Sequence, residues 1–201
     1  MSAVGWIVIG VIVLLVIIVI LMFNRLVRLR NRIDAAWSQI DVQLKRRYDL
    51  IPNIVETVRG YASHERETFE QVTRARQQAV DARGIEDQAQ AENFLTQTLR
   101  QLFAVSEAYP QLQANQNFLA LQEELTGTEG RIAFARQFFN EQVLVYDNAI
   151  EVFPTNVLAG AFGFKDRPYF EPDTASREPV AVDFSTPPPP PETGGTGSAG
   201  A

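Results

Sequence analysis

The sequence contains no cysteine and a single histidine, His64. Without cysteine the chain has no disulfide, no thiolate metal site and no cysteine nucleophile. A di-iron site in a helical bundle needs a Glu-x-x-His pair on each of two helices, but the residue three positions before His64 is Tyr61. No glycine-rich loop precedes a Lys-Ser or Lys-Thr pair, as a phosphate-binding loop requires. We therefore expect no enzyme activity, no catalytic residue, no cofactor and no metal ligand.

Charged side chains are absent from Val4 to Phe23, a run of twenty residues. A helix of this length spans roughly 30 Å, which is the thickness of a bilayer core. The alternative is a cleaved signal peptide, which has a cationic start and a shorter apolar region. Residues 1–3 carry no basic side chain and an arginine follows the run almost at once. We therefore predict a retained transmembrane helix over 4–23, preceded by a short extracytoplasmic end at 1–3.

Four arginines follow the apolar run: Arg25, Arg28, Arg30 and Arg32. Basic residues beside a span favour the cytoplasmic side, so we predict that the N-terminus lies outside and the soluble part in the cytoplasm. Each basic residue near an anionic lipid surface contributes about 1 kcal/mol of attraction. The four arginines are therefore candidate headgroup contacts, and a bilayer with anionic lipids is a predicted partner.

The net charge of −6 is unevenly distributed along the chain. Residues 24–63 hold eight basic and four acidic side chains, a balance of +4, and residues 64–201 hold ten and twenty, a balance of −10. A nucleic-acid-binding domain carries a basic face. The acidic balance of the larger part argues against nucleic acid as a partner, and it predicts that this part is held away from an anionic bilayer.

Apolar residues recur at steps of three and four after the span, which is the spacing of one helix face. This apolar seam comprises Leu29, Ile33, Trp37, Ile40, Leu44, Tyr48, Ile51, Val55 and Val58. Pro52 interrupts it and removes one backbone hydrogen bond. Two interpretations remain: a break near Arg47 to Asp49, where Asp49 caps a new helix, or one long kinked helix. We favour the break, and we expect Trp37 to be a core residue.

Three more helices are predicted, over about 50–82, about 87–108, and from Asn115 or Asn117 to Phe153. Gly127 and Gly130 each cost about 1 kcal/mol relative to alanine in a helix, which predicts local loosening there. One or two helical turns are expected between 156 and 161, followed by aromatic anchors at 163–164 and 169–170. The fold class is therefore all-α, with a single transmembrane helix and an antiparallel up-and-down four-helix bundle over 24–172. The Pro/Gly-rich stretch 173–201 is predicted to be a disordered tail.

Three stretches carry a family resemblance: LRNRIDAAWSQIDVQLKRRYDLIPNIVETVRGYASHE, YPQLQANQNFLALQEEL and EGRIAFARQFFNEQVLVYDNAIEVFPTNVLAGAFGF. Together they resemble the bacterial LemA family over roughly residues 25 to 170, and no such match extends beyond Glu171. The resemblance implies a four-helix bundle anchored in the bacterial inner membrane, with a part in shaping or organising membranes.

A second polar cluster surrounds the proline. Its members are Lys45, Arg46, Arg47, Asp49 and Asn53. They are candidate contacts for a protein partner or a second copy, and the alternative is a solvated turn.

Two functions remain open. The protein organises or remodels the membrane through a self-associating bundle, or it is a membrane-tethered adaptor that presents the bundle and tail to a protease or signalling partner. The seam between Ile33 and Leu44 either packs between neighbouring chains, which gives a homo-oligomer, or packs inside one bundle.

Overall fold

The computed structural model describes residues 3–170, which form helices and connecting segments and contain no β-strand. The helices in chain order are α1 (Ala3–Arg59), α2 (Arg66–Asp81), α3 (Ile85–Glu107), α4 (Pro110–Gln113), α5 (Gln116–Glu151) and α6 (Thr155–Phe162). The prediction of an all-α protein with a long N-terminal apolar helix is confirmed. The predicted disordered tail over 173–201 lies outside the described residues.

Helix α1 runs without interruption through the apolar stretch and past Pro52. The predicted break near Arg47 to Asp49 is therefore wrong. Proline has no N–H to donate to the carbonyl of Tyr48, four residues earlier, but Arg76 of α2 donates its Nε–H to that carbonyl oxygen at 2.8 Å. The side chain of α2 thus satisfies the group that the proline leaves open. The real break follows Arg59, so the helix predicted over 50–82 is the end of α1 plus α2, with a turn over 60–65 between them.

Helices α1 and α5 form an antiparallel pair. Its register is defined by Tyr61–Asn115, with a hydrogen bond of 2.9 Å, Arg47–Glu129, at 2.8 Å, and Trp37–Phe139, with ring centroids 5.6 Å apart. Each step forward along α1 is matched by an equal step backward along α5. The end of α5 therefore returns to the level at which the apolar run of α1 ends.

Helices α2 and α3 pack against each other beside the distal part of this pair, with Phe69, Val72, Leu95 and Leu102 buried. The part nearer the span is covered on one side by α6 and by the strap, which we define as residues 163–170. Gly163 ends α6 at a φ of 72°, a left-handed conformation that glycine adopts without strain. Both backbone polar groups of Phe170 in the strap bond to the Asn140 side chain, at 2.8 and 3.0 Å.

The apolar seam of α1 lies inside the bundle. Ile33, Ile40 and Leu44 are almost completely buried within one chain. The interpretation that this seam packs between neighbouring chains is therefore wrong, because its surface is already covered by the chain's own helices. Trp37 is only partly buried and packs between the rings of Phe139 and Phe170.

Two details of α3 and α5 differ from the sequence predictions. The spacing of apolar residues in α3 predicts that Phe94 is on its core face. Phe94 is exposed instead, because the buried face is centred on Leu95, Leu99 and Leu102. The loosening expected at Gly127 and Gly130 is absent within the described α5, which is helical through both. A Cβ atom built at either glycine meets nothing within 4 Å, so both residues face open space.

Candidate functional site

A network of buried polar side chains lies where the distal helices meet, and Arg47 of α1 is its centre. This arginine is completely buried. Its Nη1 donates to Glu92 Oε2 of α3 at 2.6 Å, and its Nη2 donates to Thr96 Oγ1 at 2.8 Å. Its Nε lies 2.8 Å from Glu129 Oε1 of α5. One guanidinium therefore connects three helices.

Glu92 is also completely buried and accepts two further hydrogen bonds. The hydroxyl of Tyr48 donates to its Oε1, and Gln88 Nε2 donates to the same oxygen at 3.2 Å. Gln88 also donates to the carbonyl of Ala79 at 3.0 Å, which brings α2 into the network. Burial, and then the neighbouring Glu92 carboxylate, raise the pKa of Tyr48, so its phenol stays protonated and serves as a donor.

Glu129 and Arg136, which lie seven residues apart on α5, complete the charge balance. Burial raises the pKa of Glu129, and the Arg47 guanidinium offsets part of this effect. Burial likewise lowers the pKa of Arg136, while the Glu92 carboxylate acts in the opposite direction. The Arg136 guanidinium lies 4.4 Å from the ring centre of Phe170, a cation–π contact that ties the strap to α5.

The network holds the helices in register. A buried charge is tolerated only when it is paired and hydrogen-bonded, and Arg47 finds its partners only when α1, α3 and α5 are in this alignment. Because Arg47 and Glu92 are fully buried, neither is available to a ligand approaching from solvent. Among residues 3–170, no group of three or more His, Asp or Glu side chains is placed to hold a metal ion.

The predicted partner contacts do not form one site. Lys45, Asp49 and Asn53 are exposed, and their spacing of four residues puts them on one outward face of α1. Arg46 forms an ion pair with Glu124 of α5. The prediction that Arg47 is a partner contact is wrong. Arg47 is a core residue of the network, because Glu92 of α3 and Glu129 of α5 pair with it inside the bundle.

The four arginines after the span are all exposed. Arg30 lies with its guanidinium carbon 5.9 Å from the ring centre of Phe164 in the strap. Arg25, Arg28 and Arg32 are free to project from α1 around the level at which the apolar run ends.

An open groove lies between α1 and α5. It has a volume of about 680 Å³ and is lined by Ser38, Gln39, Val42, Gln43, Gly127, Gly130, Arg131, Phe134 and Ala135. Phe134 is 73% exposed and Val42 is 62% exposed. The two glycines leave room above α5, and Phe134 forms one wall.

Sequence reasoning missed Glu92, Gln88, Glu129 and Arg136. The signal for two of them was present, because steps of three and four backward from Leu95 lead to Glu92 and then to Gln88. Glu92 and Gln88 are polar residues at positions where this spacing predicts apolar core residues. Glu129 and Arg136 carry no such signal, since they flank the apolar face of α5 and their burial depends on α1, α3 and the strap.

The fold and site define a class of protein. Helix α1 is long and apolar enough to cross a membrane, and the apolar window has a mean hydropathy of 3.5 with none of it buried in the bundle. A helical bundle follows on the same helix, with a buried charged network. The chain is a membrane-associated helical-bundle protein.

Comparison with known proteins identifies the family. The LemA family matches residues 36–184, so the chain belongs to the LemA family. The prediction that the resemblance ends at Glu171 is wrong, because the match extends to residue 184. Magnetosome protein MamQ of Magnetospirillum gryphiswaldense is 26% identical over 184 residues, covering 79% of this chain and 68% of the relative. Magnetosome proteins MamQ 1 and MamQ 2 of Paramagnetospirillum magneticum show the same identity and coverage.

Proposed function

We propose that this protein is a non-enzymatic, single-pass protein of the bacterial inner membrane that organises or remodels the bilayer through self-association of its bundle. The proposal is supported by the family and by its relatives, which are named as magnetosome proteins. No bound small molecule or metal is needed for such a role.

The observation that carries the proposal is the continuity of α1 from Ala3 to Arg59. The part beyond the apolar run, residues 24–59, is about 54 Å long at 1.5 Å per residue. No loop separates the span from the bundle within the described residues, so a force or contact on the bundle is transmitted directly to the membrane-embedded half. Copies in one bilayer stand in the same direction, which favours lateral, parallel association.

Self-association requires a surface other than the α1 seam, which is buried. The outward face of α5 supplies one, because Phe134, Leu144 and Val145 are exposed on it. Phe134 and Val145 are eleven residues apart and so share one helix face. This face runs along the length of the bundle and is available to a parallel neighbour.

The test of self-association is reconstitution of the full chain into vesicles with anionic lipid at increasing protein density, read by chemical crosslinking and by electron cryomicroscopy of vesicle shape. Phe134→Asp is expected to reduce crosslinked oligomers and to restore the shape of protein-free vesicles. Val80→Asp is the matched control, because Val80 is an exposed apolar residue on α2. Oligomers and vesicle deformation that persist in Phe134→Asp would contradict the proposed surface.

The orientation is part of the proposal and rests on the arginines after the span. The chain has no cysteine, so single cysteines introduced as Ser2→Cys and Ser176→Cys report topology without background. An impermeant thiol reagent should label the first in intact cells and leave the second unlabelled. The reverse pattern would move the bundle to the other side of the membrane.

The groove beside Phe134 favours a second candidate, a membrane-tethered adaptor. The adaptor hypothesis requires a site for a peptide segment of a protease or signalling partner. The volume of the groove is within the range of ligand sites. Deleting residues 173–201 separates the contributions of tail and bundle. Partner capture that is lost with the tail supports a tail-mediated adaptor, and membrane deformation that survives the deletion supports the first proposal.

A further inference from the structure

A surface of exposed apolar side chains lies at the junction of α5 and α6. Its members are Val152, Phe153, Val157 and Phe162, which are 60%, 77%, 67% and 57% exposed. Residues 152–164 contain no charged side chain, and Glu151 and Lys165 bracket the stretch. We call this stretch the apolar elbow. Exposed apolar residues that occur singly are ordinary, but a contiguous uncharged surface indicates an interaction site.

The contacts of Phe23 fix the height of the elbow relative to the span. Phe23 is the last residue of the apolar run, and Asn24 and Arg25 follow it. Its ring packs edge-on against Phe162 of α6 and Phe164 of the strap, with centroid distances of 5.0 and 5.7 Å. Phe23 therefore contacts the last residue of α6 and the second residue of the strap.

The register of the α1 and α5 pair gives the same height independently. Because the two helices run antiparallel in the register described above, the level of Phe23 corresponds to that of Phe153. The end of α5 and all of α6 are therefore beside the point where α1 enters the bilayer. In a bilayer crossed by residues 4–23, this level corresponds to the headgroup and upper acyl region.

The chemistry of the surroundings matches a lipid interface. Interfacial helices bury an apolar face about 5–10 Å into the headgroup and acyl boundary and keep basic residues around it. Arg25, Arg28 and Arg30 lie on the adjacent turns of α1, exposed, and Lys165 follows the elbow. Glu151 and Asp166 are the acidic side chains that flank the elbow in the sequence, and the three arginines together with Lys165 outnumber them.

We propose that the apolar elbow, residues 152–164, inserts into the same bilayer leaflet that α1 crosses, and so forms a second membrane attachment. A helix held by the span alone is free to tilt and to rotate about its axis. A second attachment beside the span defines which face of the bundle points toward a neighbour. The inference rests on the membrane span of the proposed function.

The experiment uses the full chain in vesicles of phosphatidylcholine and phosphatidylglycerol, with one environment-sensitive fluorophore attached to a single introduced cysteine. Val157→Cys is the test position and Val80→Cys on α2 is the control, because both valines are exposed, at 67% and 47%, and Val80 does not line the groove beside Phe134. Val13→Cys, within the apolar run, reports whether the span is in the bilayer. Quenching is measured with iodide on both sides of the vesicle and, separately, with brominated lipids.

The expected result is a several-fold lower iodide quenching constant at Val157 than at Val80, and of these two positions only Val157 should be quenched by brominated lipid. Equal iodide access at the two positions would overturn the inference. Protection at Val157 without lipid quenching would also overturn it, because a protein surface such as a second copy would then cover the elbow. A dilute sample with one chain per vesicle must retain the protection.

The Val13 position separates the two levels of the argument. If Val13 is not quenched by brominated lipid, the membrane span of the proposed function fails. If Val13 is quenched and Val157 is not, only the second attachment fails. Circular dichroism of each labelled protein verifies that the helices are intact, so a change in quenching is not caused by unfolding.

Discussion

Replacing Glu92 by glutamine tests the buried charged network. The substitution keeps the size and most of the hydrogen-bonding geometry of the side chain but removes the negative charge that faces Arg47 at 2.6 Å. Both residues of this pair are completely buried. Breaking one partner of a buried pair costs about 3–5 kcal/mol, because the other charge is left uncompensated.

Glu129 lowers the expected cost. It lies 2.8 Å from Arg47 Nε and is partly exposed, so it continues to compensate the guanidinium. We therefore expect the low end, about 3 kcal/mol, for Glu92→Gln. With a denaturation slope of about 1–3 kcal/mol per molar urea, the midpoint should fall by about 1–3 M.

The assay is urea unfolding of the full chain in detergent micelles, followed by circular dichroism. Glu124→Gln is the matched control, since Glu124 pairs with Arg46 and both side chains are substantially exposed. An exposed pair contributes about 0–1 kcal/mol, so the control should shift the midpoint little. The double variant Arg47→Met with Glu92→Gln should be less destabilised than the sum of its single variants, because neither member of this pair is then left as a buried charge without the other.

Equal midpoints for Glu92→Gln and Glu124→Gln would refute the reasoning. Such a result would mean that water reaches Arg47 or that the helices shift to compensate it. Additive effects in the double variant would refute the direct coupling between Arg47 and Glu92.

Three further outcomes follow from the same structure. Arg76→Met should destabilise the fold by about 1–3 kcal/mol in urea unfolding, because the carbonyl of Tyr48 loses its donor; a neutral effect would show that water replaces the guanidinium. Gly127→Ala and Gly130→Ala should each raise the free energy of unfolding by about 0.5–1 kcal/mol, since a Cβ there meets nothing within 4 Å. Destabilisation would show that other atoms occupy the groove beside these glycines. Burial raises the pKa of Glu129 above 4.5 in the folded state, so the folded protein binds more protons at this residue than the unfolded chain does. The contribution of Glu129 to stability therefore decreases as pH rises from 4.5 to the folded-state pKa. Glu129→Gln should remove this decrease in a pH series of urea midpoints, and an unchanged series would contradict the assignment.

The sequence was sufficient for the helical class, the long apolar N-terminal helix and the core seam, because all three depend on the local pattern of apolar residues. The seam of α1 is buried as its period indicates, and α5 is buried at Phe118, Leu125, Ile132 and Phe139. Local spacing also predicts the short helix after Pro154, which the structure places over Thr155–Phe162.

The continuity of α1 could not be obtained from local spacing. A proline inside a helix normally ends or kinks it, and the sequence near Pro52 contains nothing that contradicts this rule. The compensating donor, Arg76, is on another helix. Its contribution exists only after α2 has folded back along α1, so it is a tertiary effect.

The assignment of Arg47 to the surface failed for a similar reason. It stands between Arg46 and Tyr48 in a basic stretch, and arginine is among the residue types least often buried. Its helix position, three residues after Leu44 and four before Ile51, nevertheless places it on the core face. The carboxylates that make this burial possible are far away in the sequence.

The rigid connection of span and bundle through one uninterrupted α1 is the central claim, and a distance between two spin labels on that helix tests it most directly. The full chain in lipid nanodiscs is labelled through Asn24→Cys and Asn53→Cys. These two exposed positions lie on either side of the break that the sequence predicts near Arg47 to Asp49. A continuous helix predicts a narrow distribution centred at about 44 Å between the backbone positions. The control pair, Asn24→Cys with Asp41→Cys, should give about 26 Å in either case, because both of its positions precede the proline. A broad distribution, or one centred well below the first value while the control pair is unchanged, would show a hinge in α1 and contradict the account.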